Sequence, residues 1–159
     1  MIAWRICKHQ HVSNALSGIG AEKYCGRWNH KGDRMVYMSS SLSLATLELF
    51  VNLDPGCVPI DLYSVAVTLP NAISSEEITA EALPMNWRVY PAPTKMKELG
   101  SKWLHEMRSC ILIVPSAVNS VEKNILLNPL HPQAMMITEI ESNPFHFDPR
   151  MWKNSPGKL

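Results

Sequence analysis

The chain has 159 residues, of which 46% are hydrophobic, and a formal net charge of +1. This length fits one domain and the hydrophobic content allows a buried core, which excludes an intrinsically disordered chain. The near-zero charge gives no electrostatic reason to expect a nucleic-acid or membrane-surface partner. An anionic ligand would therefore need a local cluster of basic side chains.

The sequence offers no sign of export or membrane insertion. No apolar run approaches the roughly 20 residues that span a bilayer, and residues 1–6 do not resemble the start of a signal peptide. The cysteines are scattered, without a CxxC pair, which favours free thiols over a disulfide framework or a zinc site; they are Cys7, Cys25, Cys57 and Cys110. We therefore expect a cytoplasmic protein.

Short strands dominate the predicted secondary structure of the first third. Residues 4–7 and 35–38 have strand composition, and the glycine-rich residues 13–33 between them are predicted to be mostly loop. Residues 44–51 predict a helix, with Ser41 or Ser43 as its N-cap. Its core-facing residues should be Leu44, Leu47 and Val51, which share one face.

The remaining sequence mixes strands and helices without a regular alternation. We predict strands at residues 60–69, 110–114, 125–127 and 135–140, and helices at residues 76–83 and 94–107. The domain is expected to span residues 2–151, and residues 152–159 should form a flexible tail. Irregular order argues against a doubly wound parallel sheet and predicts an α+β fold with a single domain.

Two familiar motifs begin in this sequence but are not completed. Gly18 and Gly20 resemble a dinucleotide-binding turn, but position 23, where the third glycine belongs, is Lys23. His9 and His11 form an HxH pair without a third ligand at a persuasive spacing, so we predict no metal site. If the chain binds NAD, it does so without a Rossmann turn.

Five polar residues interrupt apolar or structured segments and are candidates for chemistry. They are Arg5, Arg27, Tyr37, Glu48 and Ser116. Each has an ordinary explanation when taken alone: a salt-bridged arginine, a solvated carboxylate on a helix, or a serine in a turn. Their significance depends on the segments in which they lie.

Those segments together resemble the RES domain family, which is named for its arginine, glutamate and serine. The first five matching segments are Trp4-Arg5, Gly26-Arg27-Trp28-Asn29, Met35-Val36-Tyr37, Ala45-Thr46-Leu47-Glu48 and Val114-Pro115-Ser116-Ala117. Further matches lie at residues 100–104, 124–132 and 145–150. The order and spacing of the segments over residues 2–151 carry the resemblance.

The resemblance implies a toxin of a type II toxin–antitoxin pair with a fold similar to that of ADP-ribosyltransferases. That fold has a small, split, twisted β-sheet core with flanking helices. It also implies an enzyme that depletes cellular NAD+ by hydrolysis or phosphorolysis of the nicotinamide–ribose bond. NAD+ would be the substrate rather than a resident cofactor, with inorganic phosphate as an alternative co-substrate to water. The implied partners are an Xre-type helix-turn-helix antitoxin and a second toxin copy in a homodimer.

Cleavage of this bond needs cations for the pyrophosphate and an anion near the ribose, where positive charge develops. Arg27 and Arg5 would bind the pyrophosphate through paired donors, and Glu48 would stabilise the developing cation. Tyr37 would stack on nicotinamide, and Ser116 would hold a ribose or carboxamide group. The expected catalytic residues are thus Glu48, Arg27 and Ser116, and the remaining ligand-binding residues are Arg5, Tyr37 and Asn128.

Two alternatives remain open at this point. The first is a mono-ADP-ribosyltransferase that modifies a protein. The second is a non-enzymatic binding module of a DNA-bound complex, although the near-zero charge makes direct DNA contact unexpected.

Overall fold

A mixed seven-stranded sheet forms the centre of the computed structural model, which describes residues 1–54, 59–138 and 140–152. The strand order is β4-β5-β6-β2-β1-β3-β7, and all neighbours are antiparallel except β4 and β5. The strands are β1 (Ile2–Lys8), β2 (Val36–Ser39), β3 (Leu62–Thr68), β4 (Ser75–Glu77), β5 (Ile111–Pro115), β6 (Lys123–Leu127) and β7 (Ile140–Phe145). This is the predicted α+β class.

The sheet is split between β1 and β2. These strands share one bridge pair, Trp4 with Ser39, whereas β1 pairs with β3 over all of Ile2–Lys8. Beyond the bridge the backbones of β1 and β2 diverge, and the gap between them opens a cleft. The predicted split of the sheet therefore lies between β1 and β2. Two candidate residues lie beside it, Arg5 on β1 and Tyr37 on β2.

Alternation along the strands divides the core between the two faces of the sheet. In β6, Ile125 and Leu127 pack in one apolar cluster while Leu126 packs in the other, because successive strand residues point to opposite faces. The first cluster lies around β1, β2 and β3. The second contains Trp28 and Trp103, both of which are fully buried.

Within the described residues, three α-helices flank the sheet: α1 (Ile19–Lys23), α2 (Leu42–Phe50) and α3 (Thr94–Glu106). Ser41 caps α2, since its hydroxyl accepts a hydrogen bond from the Leu44 amide at 3.0 Å. One face of α3 packs into the second cluster through Met96 and Trp103. Short 3-10 segments occupy His9–Asn14, Ala80–Ala82, Pro132–Met136 and Pro149–Trp152.

The predicted strands at residues 4–7, 35–38, 60–69, 110–114 and 125–127 and the helices at 44–51 and 94–107 are confirmed with small shifts. Residues 13–33, predicted as mostly loop, contain α1 and the end of a 3-10 turn. The predicted tail spans residues 152–159, of which only Trp152 is among the described residues. That ring packs edge-on against Phe50 and Phe147.

Three predictions about local structure are wrong. Residues 76–83 do not form a continuous helix, because Ser75–Glu77 pairs with β5 and this tertiary pairing overrides local preference. Within residues 135–140, a 3-10 turn that Pro132 begins extends to Met136, and β7 starts only at Ile140.

The third error concerns the buried face of α2. Leu44 is fully buried, but Leu47 is 37% exposed and Val51 is 56% exposed. The helix meets the sheet through Leu44 and Ala45, and its far end borders the open cleft. The helices described here include none with the length and apolar character needed to cross a membrane.

Candidate functional site

An open cleft of about 900 Å³ lies where β1 and β2 diverge. This volume is within the range of small-molecule sites. Residues 4–6 and 37–39 line it from the strands, α2 lines a second side, and Arg88 and residues 90–92 complete this part of the lining. Its charged lining residues are Arg5, Arg27, Glu48, Arg88 and Lys97. Among the lining residues that the structure describes, four basic side chains outnumber one carboxylate, which suits the cleft to an anionic ligand.

Glu48 projects from α2 into this cleft, where two protein groups hold its carboxylate. The Ser116 hydroxyl donates to Oε1 at 2.7 Å, and the Asn124 amide donates to the same oxygen at 2.6 Å. Ser116 follows the end of β5, and Asn124 lies near the start of the neighbouring β6. The carboxylate is thus attached to two adjacent strands as well as to its own helix.

Ser116 lies beneath the cleft rather than on its surface. Its side chain is fully buried, and its hydroxyl oxygen accepts hydrogen bonds from the Val118 and Asn119 amides at 3.1 Å each. With these bonds and its donation to Glu48, the hydroxyl is fully engaged within the protein. The geometry therefore favours contact with Glu48 over the expected contact with a ligand.

Arg27 faces the cleft from the loop that follows α1. Its guanidinium donates to the carbonyl oxygens of Trp87 and, at 3.2 Å, Val89. Burial lowers the pKa of Arg27, and the nearby Glu48 carboxylate opposes that shift. Both side chains are among the described residues, and they do not form a salt bridge with each other. Because both side chains line the cleft, a ligand bound there would lie within reach of a cation and an anion.

Arg5 enters the cleft from β1, at the split in the sheet. Its Nη1 lies 3.4 Å from the Tyr37 carbonyl oxygen, on the strand edge that β1 leaves unpaired. Its Nε is buried, and no described residue accepts a hydrogen bond from it. Burial lowers the pKa of Arg5, and the nearby Cys7 side chain partly offsets this shift. An unsatisfied buried donor of this kind is the type of group that an anionic ligand could satisfy.

Tyr37 forms part of the cleft wall, and its hydroxyl is anchored on the Gly26–Asn29 turn. The hydroxyl donates to Asn29 Oδ1 at 2.8 Å and accepts from the Trp28 amide at 3.0 Å. Burial raises the pKa of Tyr37 far above its ordinary value, so it remains a neutral phenol. A Cβ at Gly26 would lie 2.4 Å from this hydroxyl. The glycine thus makes room for the Tyr37 hydroxyl.

Asn128 is not in the cleft. Its amide donates to the Leu104 carbonyl at 3.0 Å and to Met107 Sδ at 3.1 Å, and its Oδ1 accepts from the Leu130 amide. Its side chain is fully buried beside the end of α3. These partners show a structural anchor at the opposite end of β6 from Asn124, so the expected ligand contact has no support in this geometry.

Sequence reasoning missed two groups of cleft residues. The first is Asn124 with its strand partner Ser39, whose hydroxyl donates to Asn124 Oδ1 at 2.9 Å. The second is the segment at residues 87–92. Arg27 donates to its backbone carbonyls, and Arg88 ties the segment to the Ala117 carbonyl. The resemblance covers Asn124, but only the folded structure shows that its amide contacts the Glu48 carboxylate.

His9 and His11, which form the HxH pair, lie in a 3-10 turn and do not line the cleft. In the part of the chain that the structure describes, no group of three or more His, Cys, Asp or Glu side chains could hold a metal ion.

Comparison with known proteins identifies the family. The RES domain family model matches residues 2–148. The "Prs ADP-ribosylating toxin" of Sphingobium sp. (strain YBL2) is 38% identical over 152 residues, which cover 93% of this chain and 94% of that protein. "Toxin Res" of Yersinia enterocolitica is 34% identical over 154 residues, covering 95% and 99% of the two chains.

A solved structure supports the fold independently. A chain of the M. tuberculosis MbcT–MbcA toxin–antitoxin complex superposes with a TM-score of 0.67 at 14% identity, over 97% of this chain and 87% of that one. At this identity the likeness concerns the fold alone. Together with the family match over nearly the whole chain, these comparisons show that the protein belongs to the RES domain family of toxins.

Proposed function

We propose that this protein is the toxin of a toxin–antitoxin pair and that it cleaves the nicotinamide–ribose bond of NAD+. The observation that carries the proposal is the arrangement of Glu48 and Arg27 in one cationic cleft. A carboxylate held by two donors lies close to a guanidinium, without a salt bridge between these two described residues. NAD+ combines a cationic leaving group with an anionic pyrophosphate, which matches this pairing of charges.

In the proposed reaction the bond between ribose C1′ and the nicotinamide nitrogen breaks. The electron pair leaves with nicotinamide, which becomes neutral, and positive charge develops on the ribose. The Glu48 carboxylate stabilises this charge, while Arg27 and Arg5 bind the pyrophosphate oxygens. Water or phosphate then attacks C1′, and with water one proton is released. Ser116 contributes through Glu48, and the Tyr37 ring provides a face for nicotinamide.

The direct test is release of nicotinamide from NAD+ by the purified protein. We expect Glu48→Gln, which keeps the side-chain size but removes the charge, to lower kcat by at least about 100-fold. The matched control is Glu98→Gln, on the exposed surface of α3, which should retain full activity. A Glu48→Gln variant as active as the wild type would exclude the proposed role of this carboxylate.

A cellular test addresses the toxin role. Expression of the wild type without an antitoxin should lower the NAD+ pool and arrest growth, and Glu48→Gln should relieve both effects. Arg27→Ala should do the same, because the pyrophosphate loses a bidentate donor. Normal growth with unchanged NAD+ on expression of the folded wild type would contradict the proposal.

One observation favours a transferase as the second candidate. The Sphingobium relative is named an ADP-ribosylating toxin and matches this chain over nearly its full length. NAD+ labelled in its adenylate part separates the two reactions: label fixed on a macromolecule indicates transfer, and small labelled products indicate cleavage. Omitting phosphate from the same assay distinguishes hydrolysis from phosphorolysis. A protein that gives neither product would instead be a non-enzymatic binding module.

The proposed partners are an Xre-type antitoxin and a second toxin copy. The fold neighbour comes from a complex described as toxin–antitoxin, which supports an antitoxin partner for this chain. Co-expression with the protein encoded next to it, followed by light scattering, would measure both the partnership and the number of toxin copies.

A further inference from the structure

The two oxygens of the Glu48 carboxylate have different surroundings. Ser116 Oγ and Asn124 Nδ2 both donate to Oε1, at 2.7 Å and 2.6 Å. None of the described residues donates a hydrogen bond to Oε2. Oε2 is therefore the oxygen that a bound ligand would meet, and the two donors on Oε1 determine where it points.

The orientation of the Asn124 amide is itself fixed. Ser39 Oγ donates to Asn124 Oδ1 at 2.9 Å, and the two residues are direct partners in the β2–β6 register. An amide has one acceptor end and one donor end, so a donor on Oδ1 turns Nδ2 towards Glu48. Ser39 is buried and is also the residue that bridges β2 to Trp4 of β1. The Ser39–Asn124 pair thus lies at the point where β2 pairs with both of its neighbouring strands.

We propose that Asn124 is a positioning residue for Glu48. Its amide, oriented by Ser39, holds the carboxylate in the orientation that presents Oε2 to the reacting ribose. This inference rests on the proposed role of Glu48 in NAD+ cleavage. The terminal torsion of a glutamate is broad and otherwise allows the carboxylate to turn, and small misplacements of a reacting group reduce rate strongly. Donors carried on strands provide a rigid support.

Two substitutions at one position separate positioning from space filling. Asn124→Ala removes the donor, and Asn124→Asp keeps the shape but places an acceptor with negative charge against Glu48. We expect kcat for nicotinamide release to fall about 10- to 100-fold in Asn124→Ala and further in Asn124→Asp, with KM within about threefold. Growth inhibition should weaken in the same order. The control is Asn143→Asp, on the exposed face of β7, which should match the wild type.

A second measurement does not depend on catalysis. Asn124→Asp should lower Tm by at least about 2 °C, because two carboxylates then face each other. Adding Glu48→Gln should recover most of that loss, since the new amide at position 48 can donate to the new carboxylate at position 124. The single variant Glu48→Gln provides the fourth corner of the cycle.

The outcomes distinguish this inference from the proposed function. Asn124→Asp as active and as toxic as Asn124→Ala, or a Tm cycle without coupling, would overturn the positioning role. If the wild type releases no nicotinamide, the proposed function fails, and the Tm cycle with the order of growth inhibition still decides whether Asn124 positions Glu48.

Discussion

Two hydroxyl groups, those of Ser116 and Tyr37, hold the polar residues of the cleft in place. Each connects a backbone turn to a side chain: Ser116 joins the Val118 and Asn119 amides to Glu48, and Tyr37 joins the Trp28 amide to Asn29. Backbone amides that lose such a partner inside a protein destabilise it by about 1–3 kcal/mol. Both hydroxyls should therefore contribute to stability as well as to site geometry.

Tyr37→Phe tests the anchoring hydroxyl separately from the aromatic face. We expect the free energy of unfolding to fall by about 1–3 kcal/mol, because the Trp28 amide loses its acceptor. KM for NAD+ should stay within about threefold, since the ring remains. Urea unfolding and steady-state kinetics measure the two effects, and Tyr63→Phe, on a half-buried ring of β3 that does not line the cleft, serves as the control. A large rise in KM without loss of stability would instead place the hydroxyl on the substrate.

Ser116→Ala should damage both stability and activity. The Val118 and Asn119 amides lose an acceptor, which costs about 1–3 kcal/mol, and Glu48 loses one of its two donors. We expect kcat to fall about 10- to 100-fold with little change in KM. The exposed Ser120→Ala is the matched control. If KM rises while kcat is retained, Ser116 contacts the substrate directly and the buried role is wrong.

The sequence identifies the polar residues of the cleft better than it identifies their partners. Arg5, Arg27, Tyr37 and Glu48 stand out because they interrupt apolar segments, and the structure brings all four to one cleft. The sequence-based expectation falls on Asn128 instead of Asn124, although only the latter contacts Glu48. Asn124 lies near the start of β6 and Asn128 just after its end. The pairing of β6 with β2 determines what surrounds each asparagine, and the local sequence pattern does not reveal that pairing.

At the scale of elements, the sequence is sufficient to predict a helix or strand where the contacts that determine it are local in the chain. Ser41 caps α2 within three residues, so the start of that helix is predictable from sequence. By contrast, β4 exists because residues 75–77 pair with β5 more than thirty residues later, and the segment at residues 87–92 is held by Arg27, about sixty residues earlier. Such distant pairings leave no periodic trace in the sequence.

The contact of α3 with the Arg27 loop depends on one glycine. A Cβ at Gly100 would lie 2.0 Å from the Trp28 carbonyl oxygen, next to Arg27 in the chain. Helix propensity alone predicts that Gly100→Ala stabilises α3 by about 1 kcal/mol. The steric conflict is with backbone, which cannot rotate away, so we expect the opposite sign: a loss of about 1–3 kcal/mol and reduced activity as Trp28 moves.

Urea unfolding of Gly100→Ala and of Gly20→Ala tests this element contact. Gly20 lies in α1, and a Cβ at this position would meet no atom within 4 Å, so its substitution should be neutral or slightly stabilising. Equal stability of the two variants would mean that α3 does not pack against the Trp28 backbone as closely as described.

For the whole molecule, stability rests on two apolar clusters that the sheet separates. The first cluster contains two buried thiols, Cys7 and Cys110, and burial raises the pKa of both, to about 11 for Cys110. In the described part of the chain the remaining cysteine, Cys25, is exposed. The predicted free thiols at these three positions are confirmed, while Cys57 lies outside the described residues.

These buried thiols predict how the folded protein responds to alkaline pH. Above pH 9 the Cys110 thiol ionises in the unfolded chain but stays protonated in the native state up to about pH 11. The unfolded state then binds fewer protons, so the free energy of unfolding falls as pH rises through this range, by up to about 2 kcal/mol from this thiol. Cys110→Ala should therefore lose less stability than the wild type between pH 9 and pH 11, whatever its stability at pH 8, and Cys25→Ala should follow the wild-type curve. Urea unfolding at pH 8, 9, 10 and 11 gives the free energy of unfolding of the three proteins as a function of pH. Parallel curves for Cys110→Ala and the wild type would show that ionisation of this thiol does not affect stability.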